Sequence, residues 1–353
     1  MKTRSGIFLA VLLPGLFALS LAAPGVAQNQ NQAPASRKLP PPGTQLYCGD
    51  NRQVASAAEC GITIPNAPLL HYAPVAGPAL PAGTERGGVA GVVLTRDGTL
   101  YTYERTATPL VQWDKDGHLA HGYLQGTGVR PHGMRIDPNG VDIWLVDVGA
   151  NTVQKVSPDG KVLLTLGTAG QAGTWDEANS VHLFTEPTDL AFGPNGDIFV
   201  ATGHDTTRDP RVVRFDKNGK FITTWSMRRP DGPIATIHTI AVSKDGEVYV
   251  SDRQVKTIRV FDVNGRHLRD LHTDNLVCGF YIDPEGSLWM TAGRDGMIEK
   301  LDWSGKTVGW MGRKGLGHDD YGEAHFMTMT PDMKTIYVAD SDNGVIHKLV
   351  ATN

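Results

Sequence analysis

Three histidines, His132, His238 and His325, stand at the same place in an internal repeat and recur in every second copy. Each lies eight residues before the position that closes the first hairpin of its repeat: HGMRIDPNG, HTIAVSKDG and HFMTMTPDM. The intervening copies carry Ala90 (AGVVLTRDG), Thr188 (TDLAFGPNG) and Cys278 (CGFYIDPEG) in that slot. Copies arranged in a ring bring three imidazoles to one axis with threefold spacing, which is a metal site assembled by symmetry. Neutral imidazoles are good ligands for zinc, other divalent ions being open, and three protein ligands leave a coordination position for substrate or water. Such an ion lowers the pKa of a bound hydroxyl or polarises an oxygen. The plainer reading keeps the three as buried, hydrogen-bonded core histidines.

A second slot, seven residues after the hairpin glycine, holds Arg105 in the first copy and Arg253 in the fourth, opposite each other in a ring of six. Two guanidinium groups facing a metal across a funnel repel each other unless an anion lies between them, and arginine captures carboxylates in bidentate fashion. An anionic, small-molecule or peptide-like substrate is therefore expected, against structural pairing with Glu104 and Asp252. One residue earlier the row reads Glu104, Asp147, Thr202, Asp252, Ala292 and Asp340, Asp147 and Asp340 being counted with one extra residue each. His204, in the loop of FVATGHDTTRDPR at the same mouth, is a candidate general acid or base, or simply a loop histidine. Cys278 reads as a fourth ligand, a soft neighbour of the metal or a small buried hydrophobe, the last being preferred.

The elements that position these residues are written in two series of turn signals. Gly98, Gly140, Gly196, Gly246 and Gly286 close the first series, with PDMK at 331–334 as a degenerate sixth member; Gly117, Gly160, Gly219, Gly265 and Gly305 close the second. Partners are 19, 20, 23, 19 and 19 residues apart. Asn-Gly and Asp-Gly supply the positive φ that tight hairpins need. Between the turns lie β-branched and aromatic segments such as DIWLVDV, DIFVATG and TIYVADS, with no amphipathic helical pattern. Four short strands per repeat predict an all-β, six-bladed β-propeller. Its blades fall near 86–126, 129–170, 184–228, 235–273, 276–313 and 322–353, the last one strand short, so that residues near 62–78 are expected to close the ring. A β-sandwich gives no reason for a spacing repeated five times.

Ahead of the propeller, Lys2 and Arg4, an apolar run over Ile7–Leu21 and the small residues Gly25-Val26-Ala27 read as a signal peptide, 1–27. The run is short and broken by Pro14 and Gly15, so no membrane span is expected after cleavage; an uncleaved anchor is the alternative. Residues 28–45 are a polar, Pro-rich linker, and 46–85 form an extension in which Cys48 and Cys60 are expected to pair. These features point to a secreted or periplasmic protein. A net charge of −4 with mixed signs argues against nucleic-acid partners, and nothing specifies the oligomeric state.

Over 86–353 the sequence resembles the NHL-repeat propellers, and among them the peptidyl-α-hydroxyglycine α-amidating lyases. The resemblance rests on PHGMRID followed by IWLVDV, on EPTDLAF with FVATGH, and on SDRQVKTIRVF. It implies that His132, His238 and His325 bind zinc and that Arg105 and Arg253 are the arginines near the substrate carboxylate and the reacting centre. The family reaction splits a carbinolamide into an amide and glyoxylate. Three positions depart from the family: its tyrosine base is replaced by His204, the aspartate that helps hold a structural calcium is Phe326, and a methionine is Glu323. The metal and the arginines thus carry over, while the base, the calcium and a peptide substrate do not. A metal-dependent hydrolase or lactonase on the same scaffold, and a binding module without chemistry, are the competing functions.

Overall fold

The turn signals form hairpins: Gly140, at φ 73°, donates its N–H to the Asp137 carbonyl at 2.7 Å, and in the degenerate last repeat Met333 takes the same conformation at φ 55°. A computed structural model describes residues 46–49, 52–80, 87–204, 209–229, 235–315 and 319–352. The expected signal peptide, 1–27, and the expected linker, 28–45, lie outside these residues. Among the described residues there is no α-helix, and so none long and apolar enough to cross a membrane.

Six four-stranded antiparallel sheets follow one another along the chain, and they make the six-bladed propeller that the repeat predicts. Their first strands are Val89–Leu94, Pro131–Ile136, Pro187–Phe192, Ile237–Val242, Gly279–Ile282 and Ala324–Met329. Each first strand packs against those of its two neighbours, the last against the first, so these strands surround the axis. The final blade has only three strands from its own repeat, and its outer strand is Tyr72–Val75, paired antiparallel with Val345–Ala351. The ring is therefore closed by chain from both sides of the repeat region.

Burial follows from this arrangement. Second strands such as Leu100–Glu104 and Ile143–Asp147 are buried throughout, because a blade is covered on both faces by its neighbours, while the fourth strand Leu119–Tyr123 is largely exposed. Six apolar clusters fill the junctions, one for each pair of adjacent blades; Trp144, Val153 and Leu166 meet Phe184, Leu190 and Phe215 at one of them. Each large side chain buried this way contributes roughly 1.5–3 kcal/mol relative to exposure. Outside the ring, Leu46–Tyr47 pairs with Gln53–Val54, and Cys48 is disulfide-bonded to Cys60. Two hydrogen bonds between Thr63 and the side chain of Asn275 (3.2 and 2.9 Å) fix this extension at the junction of blades four and five.

Candidate metal centre

A β-bulge aims each histidine at the axis. In blades two, four and six, pairing of the first two strands breaks between Pro131 and Met134, Ile237 and Ile240, and Ala324 and Met327. Three steps on the first strand there oppose two on the second, and the extra residue turns the histidine out of the sheet alternation. The second strand ends at Asp147, Asp252 or Asp340 in these same blades. Each carboxylate takes the backbone N–H groups just ahead of the histidine. Asp147 accepts from Val129 and Arg130 (both 2.8 Å), Asp252 from Thr236 (3.2 Å), and Asp340 from Gly322 and Glu323 (2.9 and 3.0 Å). Threefold histidines thus stand on threefold aspartates.

The imidazoles converge. One nitrogen from each of His132, His238 and His325 lies within 4.8 Å of the others, and the Nε2 atoms of His132 and His238 are 3.2 Å apart. Tetrahedral ligands at zinc–nitrogen distances are separated by roughly 3.3 Å, which the His132–His238 pair meets. The other nitrogen of each ring is engaged by the next blade: Nδ1 of His132 meets the Thr188 carbonyl (2.7 Å), that of His238 the Cys278 carbonyl (2.6 Å), and that of His325 the Ala90 carbonyl (2.6 Å). A carbonyl only accepts, so each Nδ1 carries the proton and each Nε2 presents its lone pair inward. These acceptors are the residues that hold the histidine slot in the intervening blades. The close approach also explains Gly133, since a Cβ there would sit 2.5 Å from the Thr188 carbonyl oxygen.

The trio is buried, and burial keeps it neutral. Burial, then the neighbouring imidazoles, push His132 well below the usual histidine pKa; burial and Arg253 do the same to His238. His325 falls to about 3, chiefly through burial. Neutral, tautomerically fixed imidazoles are the form that binds a metal.

The other candidates surround this trio. His204 is 6% exposed, with its ring 4.7 Å from that of His132 and 5.1 Å from that of His238, centroid to centroid. Gly203 holds it there: its N–H donates to Glu186 and its carbonyl accepts from Ile237 of the next blade. Arg105 is half-buried and donates from Nε to the carbonyl of Pro131, the residue before His132 (3.2 Å). Arg253 is buried, and its ion-pair partner is Glu323 (3.4 Å), not Asp252, which binds Arg229. Cys278 is buried with Sγ 3.8 Å from Nε2 of His238, and burial pushes its thiol pKa up.

Glu323 is the residue that the repeat register passes over. Its side chain is buried, one carboxylate oxygen faces Arg253, and the other accepts the Ser341 hydroxyl. Burial alone would raise its pKa, but Arg294, Arg253 and His325 outweigh that and hold it well below the usual range. Its position two residues before His325 was the available signal.

Below the histidines, Phe326 packs against all three rings, and the Arg135 guanidinium lies 4.9 Å from its centroid. Arg135 is held by Asp189 (2.9 and 2.5 Å) and by the Phe280 carbonyl (2.8 Å), and Asp189 also accepts from Thr239 (2.6 Å). This donor set does not fit a calcium ion, because a guanidinium already fills the cation position and Asp189 is committed to it. Among the described residues the three histidines are the one cluster with metal-ligand geometry.

The chain is 33% identical over 131 residues to peptidyl-α-hydroxyglycine α-amidating lyase 1 of Drosophila melanogaster, which covers 36% of this chain and 22% of that protein. Its relatives are amidating lyases and NHL-repeat proteins. A probable amidating lyase of Caenorhabditis elegans is 32% identical over 136 residues (37% of this chain, 36% of that one), and NHL repeat-containing protein 3 of Mus musculus is 28% identical over 180 residues (47% and 49%). The chain thus matches less than half the length of these curated relatives. No family model matches it. Among solved structures, a streptogramin B lyase aligns with a TM-score of 0.57 at 15% identity, covering 80% of this chain and 98% of that one. A gluconolactonase-like protein aligns at 0.56 and 15%, covering 78% and 94%. At such identities the likeness is one of fold.

Proposed function

We propose that this protein is a metal-dependent lyase of the amidating-lyase type, acting on a carbinolamide that bears a carboxylate. The observation that carries the reading is the convergence of three Nε2 lone pairs, each fixed by a carbonyl of the adjoining blade. His132, His238 and His325 would hold the ion, with zinc the best match to three neutral imidazoles. Bound there, a divalent cation supplies Lewis-acid polarisation of the substrate hydroxyl oxygen. His204 takes the hydroxyl proton and returns it to the amide nitrogen as the carbon–nitrogen bond breaks, so that one amide and one α-oxo acid leave with no net proton change. Arg105 and Arg253 orient the substrate from opposite sides of the mouth. The relatives named as amidating lyases support this reaction over others. A secreted or periplasmic location fits the Cys48–Cys60 disulfide.

The test is elemental analysis of the purified protein, followed by glyoxylate release from α-hydroxyhippurate. Stoichiometric zinc and release abolished by chelation are expected. A zinc-loaded protein that leaves the carbinolamide intact but opens esters or lactones with incorporation of solvent oxygen would replace the lyase by a hydrolase. A protein that binds no metal would leave only a binding module.

A further inference from the structure

Resting on that reading, we propose that Glu323 sets the charge selectivity of the site. Its carboxylate is the resident counter-ion of Arg253, so that a substrate carboxylate is received by Arg105 and Arg253 donates to an uncharged oxygen. The two arginines call for an anion between them, and the chain itself provides one. Glu323 is built into place: Ser341 donates to one oxygen, Arg253 stands 3.4 Å from the other, and the Asp340 carboxylate holds its backbone N–H. Arg294, the next cation, contacts Asp342 at 2.8 and 3.1 Å while also acting on Glu323, and Lys314 donates to the Gly322 carbonyl.

Arg105 differs from its counterpart. Its Nε binds a neutral carbonyl, and among the described residues no carboxylate pairs with it directly, Glu323 and Asp342 acting on it only from farther off. Arg253 has its charge balanced, yet its buried Nε has no hydrogen-bond partner among the described residues. A donor already paired with a carboxylate suits a carbonyl oxygen; a guanidinium with no carboxylate in direct contact suits a carboxylate. A second carboxylate on Arg253's side would meet Glu323 in a poorly solvated space, where like charges repel strongly. The site therefore takes mono-anionic carbinolamides and rejects dianionic ones.

Binding of hippurate, which lacks the reactive hydroxyl, and of its neutral partner hippuramide tests this by calorimetry, on metal-loaded protein and again after chelation. In Glu323→Gln, the dissociation constant for hippurate should fall at least about tenfold while that for hippuramide stays within about twofold. Adding Arg253→Gln should cancel the gain. Arg105→Gln, with Glu323 intact, should reduce the preference for hippurate to less than about threefold, and this arm decides if Glu323→Gln does not fold. No gain in Glu323→Gln, including no binding at all, or a preference that survives Arg105→Gln, overturns the proposal. Neither compound is cleaved, so an inactive lyase leaves the binding result standing, and an active lyase with unchanged ratios defeats the Glu323 assignment alone.

Discussion

Asp147→Asn separates a histidine that is merely buried from one held for a metal. Asp147 is 4% exposed and accepts N–H groups from Val129, Arg130 and Ala150, each at 2.8 Å, one oxygen serving the last two. Asparagine keeps that oxygen but turns an NH₂ group towards the N–H of Val129, and it removes the charge from the remaining pair. One donor left without its partner costs about 1–3 kcal/mol, and two hydrogen bonds lose their charge assistance, so a total of about 2–3 kcal/mol is expected. Because this backbone leads directly into His132, the imidazole is displaced as well, and zinc affinity should weaken by about 10–100-fold. Urea unfolding in chelator measures the first effect and competition with a chromophoric chelator the second. Asp252→Asn and Asp340→Asn should show both losses. Thr202→Val ends the second strand of a blade whose slot lacks histidine, so it should cost stability alone. A change below about 0.5 kcal/mol, or a loss of stability with unaltered zinc affinity, would refute the link between aspartate and ligand.

Two further outcomes follow from the burial of the trio. His132 and His238 lie well below the usual pKa of 6.5 and His325 at about 3, so below 6.5 the unfolded chain binds protons that the folded chain does not. Stability of the metal-free protein should thus be full above pH 6.5 and fall on acidification towards pH 3, approaching about 4 kcal/mol per pH unit with all three engaged; urea midpoints that stay flat from pH 7.5 to 5 would contradict a neutral trio. Phe326→Ala removes a fully buried ring from beneath the imidazoles and should cost about 3–5 kcal/mol in thermal or denaturant unfolding, with weaker zinc binding; a loss under about 1 kcal/mol would mean the axis collapses to fill the space.

The fold was legible because hairpin glycines and alternating strands are local signals, and the ring converts their constant spacing into constant height. His132, His238 and His325 were legible for the same reason, since one register means one place on the axis. Arg253 shows where register stops being enough: its height followed from the repeat, but its partner did not. Asp252, its neighbour in sequence, faces the backbone and Arg229, whereas Glu323 reaches it from two blades away. What Ala90, Thr188 and Cys278 contribute is a backbone carbonyl, which no residue type announces. Phe326 and Arg135 likewise meet only once the blades are stacked around the pore.

Alternation is what a ring of six makes possible. The three imidazole centroids are already 4.5, 4.6 and 5.1 Å apart, in van der Waals contact, so a histidine in every blade would not fit around one point. Placing an imidazole in every second blade leaves three positions between them, and each supplies the carbonyl that sets the tautomer of the adjoining ring. An odd number of blades would put two like positions side by side and leave one ring unoriented. His204 accordingly reaches the site from a loop beyond the second strand, since the axial slots are taken. A side chain carried on a loop can change without disturbing the three histidines, whose place the blades dictate.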